Sequence, residues 1–129
     1  MTNLSQTARA FKTAWFAKAA RKARIRDDEL CEAIREVMQG QADDLGGGVF
    51  KKRLNRNMHR SIIVAKGWRG WVYAYLFAKK DRDNIDEAEL QAFRKLAALY
   101  AGKSDADLGK ELAAGELMEI CNDQTQVQE

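Results

Sequence analysis

Between Val49 and Lys80 the apolar residues recur with a period of two, in three runs, VFKKRL, HRSIIVAKG and RGWVYAYLFAKK, separated by only a few turn-forming residues. Strands joined so closely pair antiparallel, because a parallel return needs a crossover of about a dozen residues or more. The pattern therefore predicts a meander of Val49–Leu54, Arg60–Lys66 and Trp71–Ala78, turning at 55–58 and around 67–70. The segments SIIVA and WVYAYLFA are apolar on both parities, so these strands are expected to be central, covered on one face and part of the other. Trp71, Tyr73, Tyr75 and Phe77 alternate, and are expected to line one face and pack on helices.

The flanks of this block switch to helical spacing. Phe11 to Phe16 reads as a short N-terminal strand added at one edge of the sheet, and it runs into an Ala-rich basic helix, AKAARKARI. Asp27 reads as an N-cap with Asp28 and Glu29 in the first turn, followed by Leu30, Ile34, Val37 and Met38 at helical spacing and Gly40 as a stop. The two helices are expected to form an antiparallel pair. Asp43 and Asp44 read as a polar loop before Gly46–Gly48, where the chain turns into the sheet. On the C-terminal side Asp86 and Glu89 form a capping pair inside an Ile85/Leu90 staple, and Leu90, Phe93, Ala97 and Tyr100 make one apolar stripe closed by Gly102. Ser104 and Asp107 start a shorter helix through about Ala114. LMEIC, at 117–121, fits a strand or a helical turn equally well. The fold class expected is α+β, an antiparallel sheet packed on an N-terminal helix pair with additional C-terminal helices.

At 129 residues the chain has the size of one domain, and a single domain over 1–129 is expected, with 1–10 and 122–129 as flexible ends. No apolar stretch is long enough to span a bilayer, and the polar start carries no leader pattern, so a cytoplasmic protein without membrane contact is expected. Cys31 and Cys121, far apart in the sequence, with His59 as the single histidine, are not expected to form a disulfide framework or a zinc site, and no cofactor motif is present. The acidic runs Asp27–Glu29 and Asp43–Asp44 are better explained by a helix start and a loop than as metal ligands.

The net charge of +3 conceals four blocks: +7 over residues 1–26, −6 over 27–48, +9 over 49–82 and −7 over 83–129. A +9 segment attracts polyanions even on a nearly neutral protein. Lys51 and Arg53 leave one face of the first meander strand, while Phe50, Lys52 and Leu54 point to the other. Arg60 opens the middle strand, and Lys79, Lys80 and Arg82 close the third, in a segment whose one carboxylate is Asp81. Guanidinium forks and ammonium groups gathered in this way suit a phosphodiester. His59 is either a general acid or base, or, as its solitary occurrence favours, a turn-end residue bonded to backbone.

The order strand, helix pair, basic three-stranded meander and helix resembles the RelE/ParE superfamily of bacterial type II toxins, in particular the HigB-like RelE group. LGGGVFKKRL, HRSIIVAKG and YLFAKKDR carry the resemblance, which runs from about Phe11 to about Tyr100. It implies a ribosome-dependent mRNA interferase, working without a metal or cofactor by attack of a ribose 2′-OH on its own 3′-phosphate. By the family pattern Lys51 and Arg53 would activate the 2′-OH and hold the phosphate, Arg60 would stabilise the phosphorane, and Lys80 with Arg82 would assist the leaving oxygen. Lys52, Arg56, His59 and Lys79 would bind RNA around them. The chain departs from the pattern after Arg82, where Asp83, Asn84, Ile85 and Asp86 include no aromatic. The partners implied are mRNA, the ribosome and a cognate antitoxin of helix-turn-helix type. A ParE-like gyrase binder and a non-catalytic nucleic-acid-binding module are the alternatives.

Overall fold

The structure, a computed structural model, describes residues 8–66 and 70–121. The expected turn around 67–70 and the expected flexible ends fall largely outside these residues. Arg9 and Ala10 do not: they belong to the first strand, and Ala10 is buried.

The elements in chain order are β1 (Arg9–Thr13), α1 (Ala14–Lys22), α2 (Asp27–Met38), β2 (Asp43–Gly46), β3 (Val49–Leu54), β4 (His59–Lys66), β5 (Gly70–Ala78), α3 (Glu87–Ala101), α4 (Asp105–Ala113) and β6 (Leu117–Ile120). They build one six-stranded sheet in the order β2-β3-β4-β5-β1-β6. The meander is as expected, with β3, β4 and β5 antiparallel neighbours. The sheet as a whole is mixed, because β1 runs parallel to β5. Nor does β1 form an edge: LMEI is a strand, β6, and adds antiparallel outside it. At the opposite edge Asp43 and Asp44, expected in a loop, pair with Lys51 and Phe50 as part of β2. Three successive glycines with φ of +86°, +67° and +84° turn β2 into β3. A Cβ on Gly47 would lie 2.7 Å from the Arg94 side chain of α3, so the turn requires glycine sterically as well as conformationally.

The strand expected over Phe11–Phe16 stops at Thr13, whose hydroxyl accepts from the Phe16 amide at 3.0 Å and caps α1. Trp15 and Phe16 are therefore helical. Arg26, not Asp27, occupies the cap position of α2; Asp27 is its first helical residue and pairs with Lys12 at 2.7 Å. The two N-terminal helices share one side of the sheet and one core cluster, Phe16 and Ala20 of α1 with Leu30, Ala33 and Ile34 of α2. Each lies on its own strand, α1 on β5 and α2 on β3, and the Tyr73 hydroxyl donates to the Leu30 carbonyl at 2.7 Å to tie α2 to the sheet. Burial pushes the Tyr73 hydroxyl well above its ordinary pKa, which keeps it a donor. Both C-terminal helices begin with full capping boxes, Asp86/Glu89 and Ser104/Asp107.

Helices on both sides divide the core in two. Phe16, Leu30, Ile34, Ile63, Tyr73 and Leu76 pack on the α1/α2 side, and Phe11, Val49, Ile62, Val64, Val72 and Tyr100 on the α3/α4 side. A β-bulge crosses between them: Ile62 faces Tyr75 but Ile63 faces Tyr73, leaving Ala74 without a partner in the ladder. The extra residue reverses the parity of β5. Trp71 and Tyr73 stay on the α1/α2 side, whereas Tyr75 and Phe77 turn to α3, so the four aromatics do not share a face. Cys31 of α2 and Cys121, which follows β6, form a disulfide with their Cα atoms 5.5 Å apart, contrary to the sequence expectation. They lie 90 positions apart in the sequence, and the placement of β6 beside β1 brings Cys121 to α2.

Candidate nucleic-acid interface

The β3–β4 hairpin organises the basic residues. Its loop holds Asn55, Arg56 and Asn57 in the left-handed region, with φ of 55°, 54° and 71°, a conformation that asparagine tolerates and arginine disfavours. The loop sets the register in which Arg53 faces Arg60 and Leu54 faces His59. Its carbonyls also hold an arginine: Arg60 Nη1 donates to Asn57 O at 3.0 Å and to His59 O at 3.2 Å. The remaining N–H groups of Arg60 have no partner among the described residues.

Arg60, Arg53 and Lys51 leave the sheet on the α3 side, as the parity of Val49, Ile62 and Val64 requires. Arg53 is exposed and has no ion pair among the described residues. Lys51 is mostly buried and lies 3.9 Å from Asp43 of β2. Across the next ladder Arg60 faces Phe77, and the Arg82 guanidinium sits over that ring at 5.5 Å. Arg82 is itself anchored, donating to Glu89 at 2.6 and 3.1 Å and to Asn84 O at 3.0 Å. The bond from Arg82, with the cap bond from the Asp86 amide, holds the Glu89 carboxyl below the usual carboxylate range. Arg53 of β3, Arg60 of β4 and Arg82, which follows β5 and covers Phe77, thus form a row on one side of the sheet, its last member fixed by α3.

The sheet separates the other candidates from this row. Lys52 points to the α1/α2 side and is used internally, at 2.8 Å from both Glu36 and Gln41 O. His59 is on that side too, with Asn55 Nδ2 donating to its Nδ1 at 3.1 Å, so its local partner is a side chain of the turn rather than the backbone expected. Lys79 and Lys80 follow the end of β5 rather than closing the strand. With Arg56, His59 and Lys22 they line a cavity of about 580 Å³ beneath the end of α1. Lys22 was not singled out in the sequence, because a lysine in a solvated helix carries no distinguishing pattern. The expectation that Asp81 is the one carboxylate near these cations is corrected: Asp43, Glu36 and Glu89 arrive from β2, α2 and α3, and none is adjacent in sequence to the lysine or arginine it meets.

The arrangement is a row of guanidinium groups on one face of the sheet, chemically suited to an anion such as a phosphodiester. Over residues 8–120 the sequence matches the family model of the RelE toxin of the RelE / RelB toxin-antitoxin system. The chain belongs to the RelE toxin family. No curated protein and no solved structure matches it. This RelE-family toxin carries the matched region from β1 to the last residue of β6, so every element described here lies within the family's domain. It is a toxin of the kind that pairs with an antitoxin. No helix among its described residues is long and apolar enough to cross a membrane.

Proposed function

We propose that this toxin is an mRNA interferase that cuts the message on the ribosome, in the cytoplasm, and that a helix-turn-helix antitoxin restrains it. The observation that carries the reading is the Arg53–Arg60 couple, two cations held opposite each other with no carboxylate among the described residues to neutralise them. Like charges so placed repel, and an anion between them removes the cost.

In the proposed reaction the ribose 2′-oxygen attacks its own 3′-phosphate, the bond to the 5′-oxygen breaks, and a 2′,3′-cyclic phosphate and a 5′-hydroxyl end result. Arg53 and Lys51 bind the diester and favour ionisation of the neighbouring 2′-OH. Arg60, preorganised by the Asn57 and His59 carbonyls, faces the charge that grows on the phosphorane. In this reading Arg82, on the same side of the sheet as Arg60, assists the leaving oxygen, whereas Lys80, which lines the cavity on the opposite side, takes a supporting part in RNA binding with Arg56, His59 and Lys79. Lys52, bonded to Glu36, supports β3 rather than RNA.

The test is expression of the chain alone in a bacterium with mapping of new mRNA 5′ ends. New 5′-hydroxyl ends that disappear with Arg60→Ala support the reading. Growth arrest without new ends, accompanied by gyrase inhibition, replaces it with the ParE-like alternative.

A further inference from the structure

We infer that Trp15 and Tyr75 form a stacking platform for one base of a single-stranded RNA whose phosphate lies on the Arg53–Arg60 row. The inference rests on the phosphate-binding reading above and adds the part of the nucleotide that the arginines do not address. Trp15, in the first turn of α1, is 53% exposed, and it is the one aromatic among the large exposed hydrophobic residues described. Its ring stacks on Tyr75 with centroids 5.1 Å apart and an interplanar angle of 29°. Tyr75 is not free to move away, because its ring also contacts Phe77 at 5.8 Å and Phe93 of α3 at 6.0 Å.

A half-exposed tryptophan backed by a fixed ring offers a flat apolar surface already paid for in conformational entropy. Its neighbours say what it would receive. Arg82 Nη1 donates to the Tyr75 hydroxyl at 3.4 Å, and the same guanidinium covers Phe77, the cross-strand partner of Arg60. Two ring-to-ring steps therefore lead from the arginine row to Trp15. Cations that track a backbone beside aromatics that accept bases are the arrangement by which single strands are bound, and stacking of this kind tolerates every base. An apolar peptide would gain from Trp15 but would leave Arg53 and Arg60 repelling each other. The β5 bulge is what makes the platform, since without it Tyr75 would face α1 and α2.

The probes are a short labelled oligo(A) and an abasic oligonucleotide of equal length and phosphate count, titrated against the full chain at fixed salt. Wild type is expected to bind oligo(A) about tenfold more tightly than the abasic strand. Trp15→Ala should abolish that preference while leaving the abasic affinity and the thermal midpoint unchanged, and Trp15→Phe should restore most of it. A Trp15→Ala variant that keeps the preference overturns the inference, as does a wild type that binds both strands equally but loses both with Arg60→Ala. Loss of antitoxin binding by Trp15→Ala with the base preference intact reassigns the stack to a protein contact and also overturns it. If wild type binds neither strand, the phosphate-binding reading fails and the platform with it.

Discussion

Arg53 stands directly opposite Arg60 across the β3–β4 ladder, so two guanidinium side chains leave one face of the sheet side by side. A cross-strand pair of like charges destabilises a sheet by a few tenths to about 1 kcal/mol. Arg60→Ala is therefore expected to leave the free protein equally or slightly more stable while lowering mRNA cleavage by about a hundredfold, the typical loss for one donor to a developing oxyanion. Thermal melting and primer extension on the same preparation measure both. A variant that melts well below wild type would give Arg60 a structural rather than a catalytic role.

Salt separates the cations that meet RNA from those the fold consumes. RNA binding should engage about 4 to 6 phosphates, with a slope near −0.7 in log affinity against log salt for each. Arg53→Ala should flatten the slope by about one phosphate. Lys52→Ala should leave it unchanged and reduce stability instead, because Lys52 is bonded to Glu36 and Gln41. Equal slopes for wild type and Arg53→Ala would remove Arg53 from the interface.

Acid should loosen the anchor of Arg82. The Glu89 carboxyl titrates below its unfolded value because Arg82 and the Asp86 amide bond to its charged form. That stabilisation is present at neutral pH and is lost as pH falls through the lowered value, when the folded state must take up the proton. Glu89→Gln keeps a residue able to close the capping box, so it should fold at neutral pH and show a shallower loss of stability in acid than wild type. Urea midpoints across the carboxylate range test this, and identical acid limbs would refute it.

The disulfide joins α2 to the end of β6 across 90 residues of chain. Removing it should cost about 2 to 4 kcal/mol, chiefly by releasing the unfolded chain. Cys31→Ser, or reduction of wild type, should lower the midpoint accordingly. Equal midpoints with and without reductant would mean the two thiols are not bonded in solution.

The sequence was most informative where the physics is local. The period-two runs of β3, β4 and β5, the Gly46–Gly48 turn and the two capping boxes each depend on residues a few positions apart, and all appear in the structure. The same holds for the shared face of Lys51 and Arg53, which follows from strand pleating alone.

What the residues could not determine depended on elements distant in the chain. Nothing near Phe11 says that β6 will close over β1, or that the aromatics of β5 will be split by one unpaired residue opposite Ile62 and Ile63. The +9 block looked unneutralised because its carboxylates arrive from β2, α2 and α3. Two cysteines 90 residues apart looked unrelated for the same reason. Local pattern selects each element and the face it buries, since covalent spacing fixes periodicity. Which charge meets which, and which aromatic is left facing solvent, is decided only when the sheet order and register bring separate surfaces together.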